Sequence, residues 1–402
     1  MKNRAKIKYL LIAIISLSLT HLSYAQSSIP KDTLSINFLG SSINIGIERQ
    51  QVQYTVHKIK NQQEINYDSL IANISSLKQN IELIQKNYKL PDWLVYQLIR
   101  RIAEQVNSKY IDYTQYTLTK YLLLAITGFE PVIFTSNDKI LLYIKSVDTV
   151  YNLPNKIISG KQYICLNYHD YGYQINFGQE KFIQKKINLP DTGRNFQYTI
   201  DYLPSFQKES YAVKNVSFQY KHKKESYSIL VNPEIQDYFT NYPVTEYRYQ
   251  FNIPFSEIAY NKLIPELKTK TKNLSIEEGV QYIMIFVRDG FEFETDTRLF
   301  GREKRLSAEE TLVYNSSDCE DRSALFFLLV KELYNLPMAI ISYPEHVNVA
   351  VQLPKQKGLT IDIENKKFTI CEPTPQRKKR GIGWTPKEIR KQPFEIAYIY
   401  NQ

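Results

Sequence analysis

Residues 315–330 read NSSDCEDRSALFFLLV, a polar stretch that runs directly into an apolar one. This pattern predicts a helix that begins near Asp318 and carries Cys319 in its first turn. The N-terminus of a helix has a partial positive charge, which favours the thiolate form of a cysteine over the thiol. Cys319 is therefore the first candidate nucleophile, although the negative charges of Asp318, Glu320 and Asp321 oppose a thiolate.

Two later residues complete a possible catalytic set. His346 precedes the alternating strand-like run 347–351, and Glu372 follows the strand-like run 368–371. A thiol, a base and an acid that orients the base have the roles of a catalytic triad. We expect the valines of the first run to pack inward and His346 to face the start of the helix.

Two alternatives stay open at this stage. Asp362, in the run Thr360–Ile363, is a second candidate for the acid that orients His346. Cys319, taken alone, is equally compatible with a buried core cysteine on a helix.

Three motifs of the chain resemble those of the transglutaminase-like (papain-like cysteine protease) superfamily, exported bacterial type: DCEDRSALF at 318–326, YPEH at 343–346 and CEPTP at 371–375. The resemblance covers roughly residues 255–376. It implies an α+β fold with a papain/transglutaminase-like C-terminal domain and a Cys319–His346–Glu372 triad acting on peptide or amide bonds. Glu372 stands where the family usually has Asp, and Ser317 stands where a glycine commonly lies.

The first 25 residues have the pattern of a secretory signal peptide. Four basic residues precede the apolar run Tyr9–Leu22, and Ser23-Tyr24-Ala25 forms a plausible cleavage site. The alternative is an uncleaved anchor, but a bilayer span needs about 20 apolar residues and this run is shorter. The sequence therefore predicts a periplasmic or extracellular chain that has no transmembrane segment after signal removal.

The charge of the mature chain limits its partners. Loss of the four basic residues in 1–25 lowers the formal net charge from +10 to +6. That mildly basic balance suits a peptide or protein substrate in the cell envelope, and it is not the charge pattern of a nucleic-acid-binding protein. The basic run 377–380 is either the rim of an anionic substrate site or a solvated loop.

The cysteines and histidines give no metal or cofactor signal. Three cysteines are present, so at least one is unpaired within the chain. Cys165 and Cys371 are either buried apolar residues or a disulfide pair. The histidines lack the CxxC or HExxH spacing of common metal sites, so we expect no cofactor and no metal.

Patterning divides the rest of the chain. Residues 26–168 are predicted to form an N-terminal α+β unit, with short strands at 33–66, for example 35–39 and 53–56, and helices at 67–127. Residues 169–254 are predicted to form an antiparallel β-sandwich-like domain, because several runs alternate with period two, at 195–200, 217–220, 227–231 and 247–251. Residues 255–402 are the transglutaminase-like catalytic domain, opening with helical patterns at 256–267 and 275–289.

The N-terminal unit resembles the C-terminal one in the order of its patterns. Pro131 and Pro337, and likewise Cys165 and Cys371, are separated by 206 positions (337 − 131 and 371 − 165). The hypothesis is an internal duplication with a degenerate first copy; the alternative is chance likeness. At this offset each catalytic candidate falls opposite a residue unable to do its chemistry: Tyr113 for Cys319, Ile140 for His346 and Leu166 for Glu372.

Two functions follow from these features. The first is an exported cysteine-dependent acyl-transfer enzyme, either a peptidase or amidase or an amine transferase. The second is a non-catalytic binding or scaffold protein of the cell envelope that retains the fold. The reactivity of Cys319 distinguishes them, because a scaffold does not need an activated thiol.

Overall fold

A computed structural model describes residues 32–187, 193–375 and 381–401. The predicted signal peptide 1–25 and the basic run 377–380 lie outside these described residues. The α-helices are α1 Arg49–Lys60, α2 Tyr67–Asn73, α3 Ser75–Tyr88, α4 Asp92–Val106, α5 Tyr113–Ile126, α6 Ile235–Phe239, α7 Tyr247–Gln250, α8 Glu257–Thr271, α9 Ile276–Gly290, α10 Asp296–Phe300, α11 Ala308–Val313, α12 Cys319–Tyr334 and α13 Lys387–Arg390.

The β-strands form two five-stranded sheets and three two-stranded pairings. They are β1 Asp32–Phe38, β2 Ser41–Ile47, β3 Pro131–Ser136, β4 Lys139–Lys145, β5 Asn155–Ile158, β6 Lys161–Cys165, β7 Ile183–Lys185, β8 Ala212–Tyr220, β9 Lys223–Val231, β10 Glu292–Phe293, β11 Ser316–Ser317, β12 Met338–Tyr343, β13 His346–Val351, β14 Thr360–Ile363, β15 Lys366–Cys371 and β16 Glu395–Tyr400.

The N-terminal part is built on helices α1–α5 and an antiparallel sheet of order β5-β6-β4-β3-β7. Helix α4 follows Pro91, whose extended backbone leads into the helix, and it buries Trp93 in the core. Helix α5 starts after Asp112, whose side chain accepts the backbone N–H of Gln115. This N-cap satisfies one of the backbone donors that a helix start leaves unpaired.

The C-terminal part is built on helices α8, α9 and α12 and an antiparallel sheet of order β14-β15-β13-β12-β16. When the five strands of each sheet are numbered 1 to 5 in chain order, both sheets have the spatial order 3-4-2-1-5. The two helices predicted at 256–267 and 275–289 are present as α8 and α9. The chain is therefore mixed α+β with two antiparallel sheets of equal topology.

The β-sandwich predicted for 169–254 is wrong for the described residues of that segment. Only the hairpin β8–β9 forms there as an independent sheet, while β7 joins the N-terminal sheet. The predicted strand at 247–251 is instead mostly helix α7. The alternation of β8 and β9 marks one buried face, and helices α8 and α9 cover that face in place of a second sheet.

One smaller prediction also fails, and one open alternative is decided. The predicted strand at 53–56 lies inside helix α1, where Val52, Val56 and Ile59 share a buried stripe at helical spacing. The possible disulfide between Cys165 and Cys371 is absent, because both are free thiols and they lie in different core clusters.

Candidate active site

Cys319 is the first residue of helix α12, and its position is fixed by a capping box. The carboxylate of Asp318 accepts the backbone N–H groups of Glu320 (3.1 Å) and Asp321 (3.3 Å). In return, Asp321 accepts the backbone N–H of Asp318 at 3.4 Å. Reciprocal capping of this kind specifies where a helix starts. The prediction that Cys319 lies in the first turn of the helix is therefore confirmed.

Arg322 anchors the segments around that helix start. Its side chain is fully buried and donates hydrogen bonds only to backbone carbonyls. These acceptors belong to Ser317, Val287, Arg288, Phe291 and Glu292. Arg322 therefore joins the end of α9 and strands β10 and β11 to the first turn of α12.

His346 and Glu372 form a buried pair where β13, the central strand of the second sheet, begins. Strand β13 pairs with β15 so that Val349 lies opposite Cys371, which brings Glu372 towards His346. The two side chains meet with His346 Nε2 at 2.8 Å from Glu372 Oε2. Glu372 is 2% exposed, and its bond occupies Nε2. The ring nitrogen available to a substrate or a thiol is therefore Nδ1.

Two further contacts hold the Glu372 carboxylate in place. Oε2 accepts the hydroxyl of Thr385 at 3.1 Å, and Oε1 accepts the backbone N–H of Thr374 at 3.3 Å. The alternative acid, Asp362, lies exposed on the edge strand β14 opposite Lys367. The structure thus brings Glu372, and not Asp362, to His346.

Cys319 and His346 do not form a hydrogen bond with each other in this structure. The Cys319 thiol donates to Glu320 Oε2 at 2.9 Å. The backbone N–H of Val347, the neighbour of His346, is also a hydrogen-bond partner of the sulfur. Cys319 therefore lies against Val347, the residue that follows His346, without a bond to the imidazole ring.

The alternation of β13 gives the reason. Val347, Val349 and Val351 pack in the same core cluster as the α12 residues, whereas Ala350 belongs to the cluster on the opposite face of the sheet. Because side chains alternate along a strand, His346 leaves the backbone on the side of Ala350. The valines pack inward as expected, but the expectation that His346 faces the start of the helix is wrong, because the valines are the side chains that cover α12.

The electrostatics at Cys319 favour the thiol. Burial raises the pKa of Cys319 well above its usual range, and the carboxylates of Glu320 and Asp318 raise it further. The Val347 N–H lowers this pKa, but it is outweighed. The partial charge of a helix N-terminus is worth only about 0.3–1 kcal/mol, so burial and two adjacent carboxylates overcome it.

The backbone N–H of Cys319 is a free donor. Among the described residues, no backbone or side-chain group accepts it, because the cap carboxylate binds the next two N–H groups instead. A free N–H on the nucleophile's own residue is suited to stabilise an oxyanion that forms on an attacked carbonyl.

Sequence reasoning missed an acidic group beneath Cys319. Asp296, at the start of α10, lies with Asp318 and Asp321 so that one carboxylate oxygen of each is within 4.8 Å of the others. Burial raises the pKa of Asp296 to about 7 and that of Asp318 to about 10, and it also raises that of Asp321. Asp296 precedes the motif by 22 positions (318 − 296), so local spacing gives no signal for it.

A cleft of about 590 Å³ is lined by residues from α7, β12 and β16, together with Tyr151, Glu246 and Arg305. The Arg305 guanidinium lies 4.1 Å from the centre of the Tyr247 ring. Burial raises the pKa of Tyr247 to about 12, with smaller contributions from the charges of Glu320 and Cys319. The cleft therefore has both a cation and an aromatic surface, and Tyr247 is its link to the start of α12.

Comparisons with family models, with curated proteins and with solved structures find no match for this chain. Within residues 32–187, 193–375 and 381–401, none of the helices has the length and apolar character needed to span a bilayer.

Proposed function

We propose that the chain is an exported cysteine-dependent acyl-transfer enzyme that acts on peptide or amide bonds of a cell-envelope substrate. Its fold is proposed to be transglutaminase-like, with Cys319 as nucleophile, His346 as base and Glu372 as orienting acid. The observation that carries the proposal is the buried His346–Glu372 hydrogen bond of 2.8 Å at the start of β13, where the backbone N–H of the next residue, Val347, bonds to the Cys319 sulfur.

The reaction requires the Cys319 thiol and the His346 ring to meet at the start of β13, because the imidazole lies on the face of the sheet opposite α12. Once they meet, His346 Nδ1 takes the thiol proton as the sulfur attacks the carbonyl carbon. The Cys319 N–H stabilises the resulting oxyanion. The imidazolium then gives its proton to the leaving amine, and a thioester remains on Cys319. Water, or a second amine, breaks the thioester in the reverse sequence and regenerates the thiol.

Glu372 makes this sequence possible by orientation and charge. Its bond to Nε2 fixes the imidazole with Nδ1 free, and its negative charge stabilises the imidazolium. Thr385 and Thr374 restrict the carboxylate itself, so the longer arm of glutamate is held as firmly as an aspartate.

A second candidate function is a non-catalytic binding or scaffold protein. The observation that favours it is the resting state of Cys319, which is a thiol bonded to Glu320 and not to His346. A protein of this kind would use the cleft beside Tyr247 and Arg305 to bind a partner, without chemistry at the cysteine.

The test is the rate of Cys319 alkylation against pH in the mature protein, followed by peptide mapping. Cys165 and Cys371 are fully buried and serve as internal controls. We expect labelling of Cys319 near pH ~6–7 that is strongly reduced in His346→Ala. Labelling confined to pH above about 8, the range of an unperturbed thiol, and equal in His346→Ala would reject the enzyme in favour of the scaffold.

A further inference from the structure

We propose that Asp296, Asp318 and Asp321 form a binding site for a hard divalent cation, such as Ca²⁺ or Mg²⁺, directly beneath the start of α12. The site does not depend on the proposed acyl-transfer activity.

The first support is the spacing of the oxygens. One carboxylate oxygen of each aspartate lies within 4.8 Å of the other two. Oxygen ligands of Ca²⁺ lie about 2.3–2.6 Å from the ion, so two ligands on opposite sides are about 5 Å apart. The three oxygens therefore fit within the first coordination sphere of a single ion.

The second support is an oxygen that lacks a partner. Asp296 is 4% exposed, and its Oδ1 has no hydrogen-bond partner in the described structure. Its other oxygen, Oδ2, accepts the backbone N–H of Lys304 at 2.6 Å, which fixes the carboxylate. A buried carboxylate oxygen without a partner is costly, and a cation in the group would satisfy it.

The third support is the orientation of the other two carboxylates by backbone donors. Asp321 Oδ1 accepts the N–H of Leu306 at 2.7 Å, and Asp318 Oδ1 accepts those of Glu320 and Asp321. These groups hold the carboxylates in place without neutralising their charge.

The nearby cations Lys304 and Arg322 balance this group only in part. Lys304 is buried and its ammonium is 2.7 Å from Glu310, so its charge is already paired. Arg322 directs its hydrogen bonds to backbone carbonyls. Glu303 and Glu320 add further negative charge around Asp296. Oxygen-only ligands of this type favour Ca²⁺ or Mg²⁺ over softer metals.

The direct test is calorimetric titration of the chelator-treated mature protein with CaCl₂ and, separately, with MgCl₂. We expect one saturable site for at least one ion and a rise in the melting temperature with that ion. Asp296→Asn and Asp318→Asn should each weaken binding by about tenfold or more. Asparagine remains an effective N-cap, so Asp318→Asn keeps the helix start if Asp296→Asn does not fold.

Two control variants make the result specific. Glu292→Gln removes an exposed carboxylate in the neighbouring strand β10 and should leave binding unchanged. Cys319→Ala should also leave binding unchanged, and loss of binding in this variant would mean thiolate ligation and overturn the all-oxygen site. Absence of saturable binding up to millimolar ion, the weak end for extracellular sites, or unchanged binding in both aspartate variants would also overturn it.

The binding measurement separates this inference from the proposed function. A cation that binds to a protein with an unreactive Cys319 supports the site and rejects the enzyme. A His346-dependent reactive Cys319 in a protein that binds neither ion supports the enzyme and rejects the site.

Discussion

The two five-stranded sheets have the same strand order, but the helix starts associated with them are built in opposite ways. Tyr113 begins α5 after the cap Asp112, and Cys319 begins α12 after the cap Asp318. The two positions are 206 residues apart (319 − 113), the offset found in the sequence. The shared order and the matching caps support the hypothesis of an internal duplication.

The polar group around Tyr113 is largely satisfied. The Tyr113 hydroxyl donates to Asp170 and accepts from Asn167, each at 2.8 Å. Asp170 lies 2.5 Å from the ammonium of Lys109 and 3.8 Å from that of Lys120. The charge of this buried carboxylate is therefore balanced by cations within the same unit.

The polar group around Cys319 is not balanced. Its three aspartates include an oxygen without a partner, and they raise one another's pKa values instead of being paired. Buried groups that are fully paired stabilise a fold, whereas groups left unpaired tend to mark functional sites. Lys120 Nζ in the first group also lacks a hydrogen-bond partner, so the two helix starts differ in charge balance and not in complete pairing.

The largest expected effect is at Asp170. Asp170→Asn removes the carboxylate that pairs with Lys109 and Lys120, and breaking a buried ion pair costs about 3–5 kcal/mol. We expect the free energy of unfolding in urea at neutral pH to fall by about that amount. Asp138 is exposed in the turn between β3 and β4. Asp138→Asn should change the free energy of unfolding by less than about 0.5 kcal/mol. Equal effects would mean that the Tyr113 group is not a balanced structural network.

Replacement of Asp296 is expected to raise the free energy of unfolding, and not to lower it, when no cation is present. The pKa of Asp296 is raised from 3.8 to about 7. Between these values the folded state holds a proton that the unfolded state has lost, so stability falls as pH rises through this window. Each unit of raised pKa corresponds to about 1.4 kcal/mol.

Asp296→Asn should remove this loss of stability. In chelator, we expect the variant to be more stable than the parent at pH ~8 and closer to it at pH ~4, measured by thermal unfolding. Glu292→Gln is the matched control, since it removes an exposed carboxylate. An identical pH dependence in the parent and in Asp296→Asn would show that the acidic group is not electrostatically strained.

A smaller effect is expected at Glu372. Glu372→Gln retains an acceptor for the imidazole but removes the charge that stabilises the imidazolium. The alkylation rate of Cys319 near pH ~6–7 should fall about tenfold or more. Asp362→Asn, which changes the rejected acid on the edge strand, should leave the rate unchanged. The reverse result would move the role of orienting acid to Asp362.

The smallest expected effect is that of Glu320→Gln on the alkylation rate of Cys319. Its carboxylate accepts the thiol hydrogen and raises the pKa of Cys319. Glu320→Gln should therefore increase the alkylation rate of Cys319 by about threefold to tenfold at neutral pH, since one pKa unit is a factor of ten in thiolate. Glu292→Gln again provides the comparison. A slower reaction in Glu320→Gln would indicate that Glu320 assists removal of the thiol proton.

Much of this architecture could be predicted from the local sequence. The polar run ending at Asp318 and the apolar run after it specify where α12 begins, because capping and helical burial depend on neighbouring residues. The strand containing His346 was also evident from alternation, as were α8 and α9 from helical spacing. The wrong predictions, the sandwich at 169–254 and the strand at 53–56, arose where alternation does not reveal which element covers a buried face.

The sequence by itself determined the helix that presents Cys319, the strand that begins at His346, and the order in which Glu372 follows them. Tertiary structure alone decided that Glu372, and not Asp362, reaches the imidazole, and that the thiol bonds to Glu320. It also brought Asp296 to Asp318 and Asp321. The reason is physical: caps and periodicity act over a few residues, whereas burial, strand register and the repulsion of carboxylates depend on segments that meet only in the folded chain.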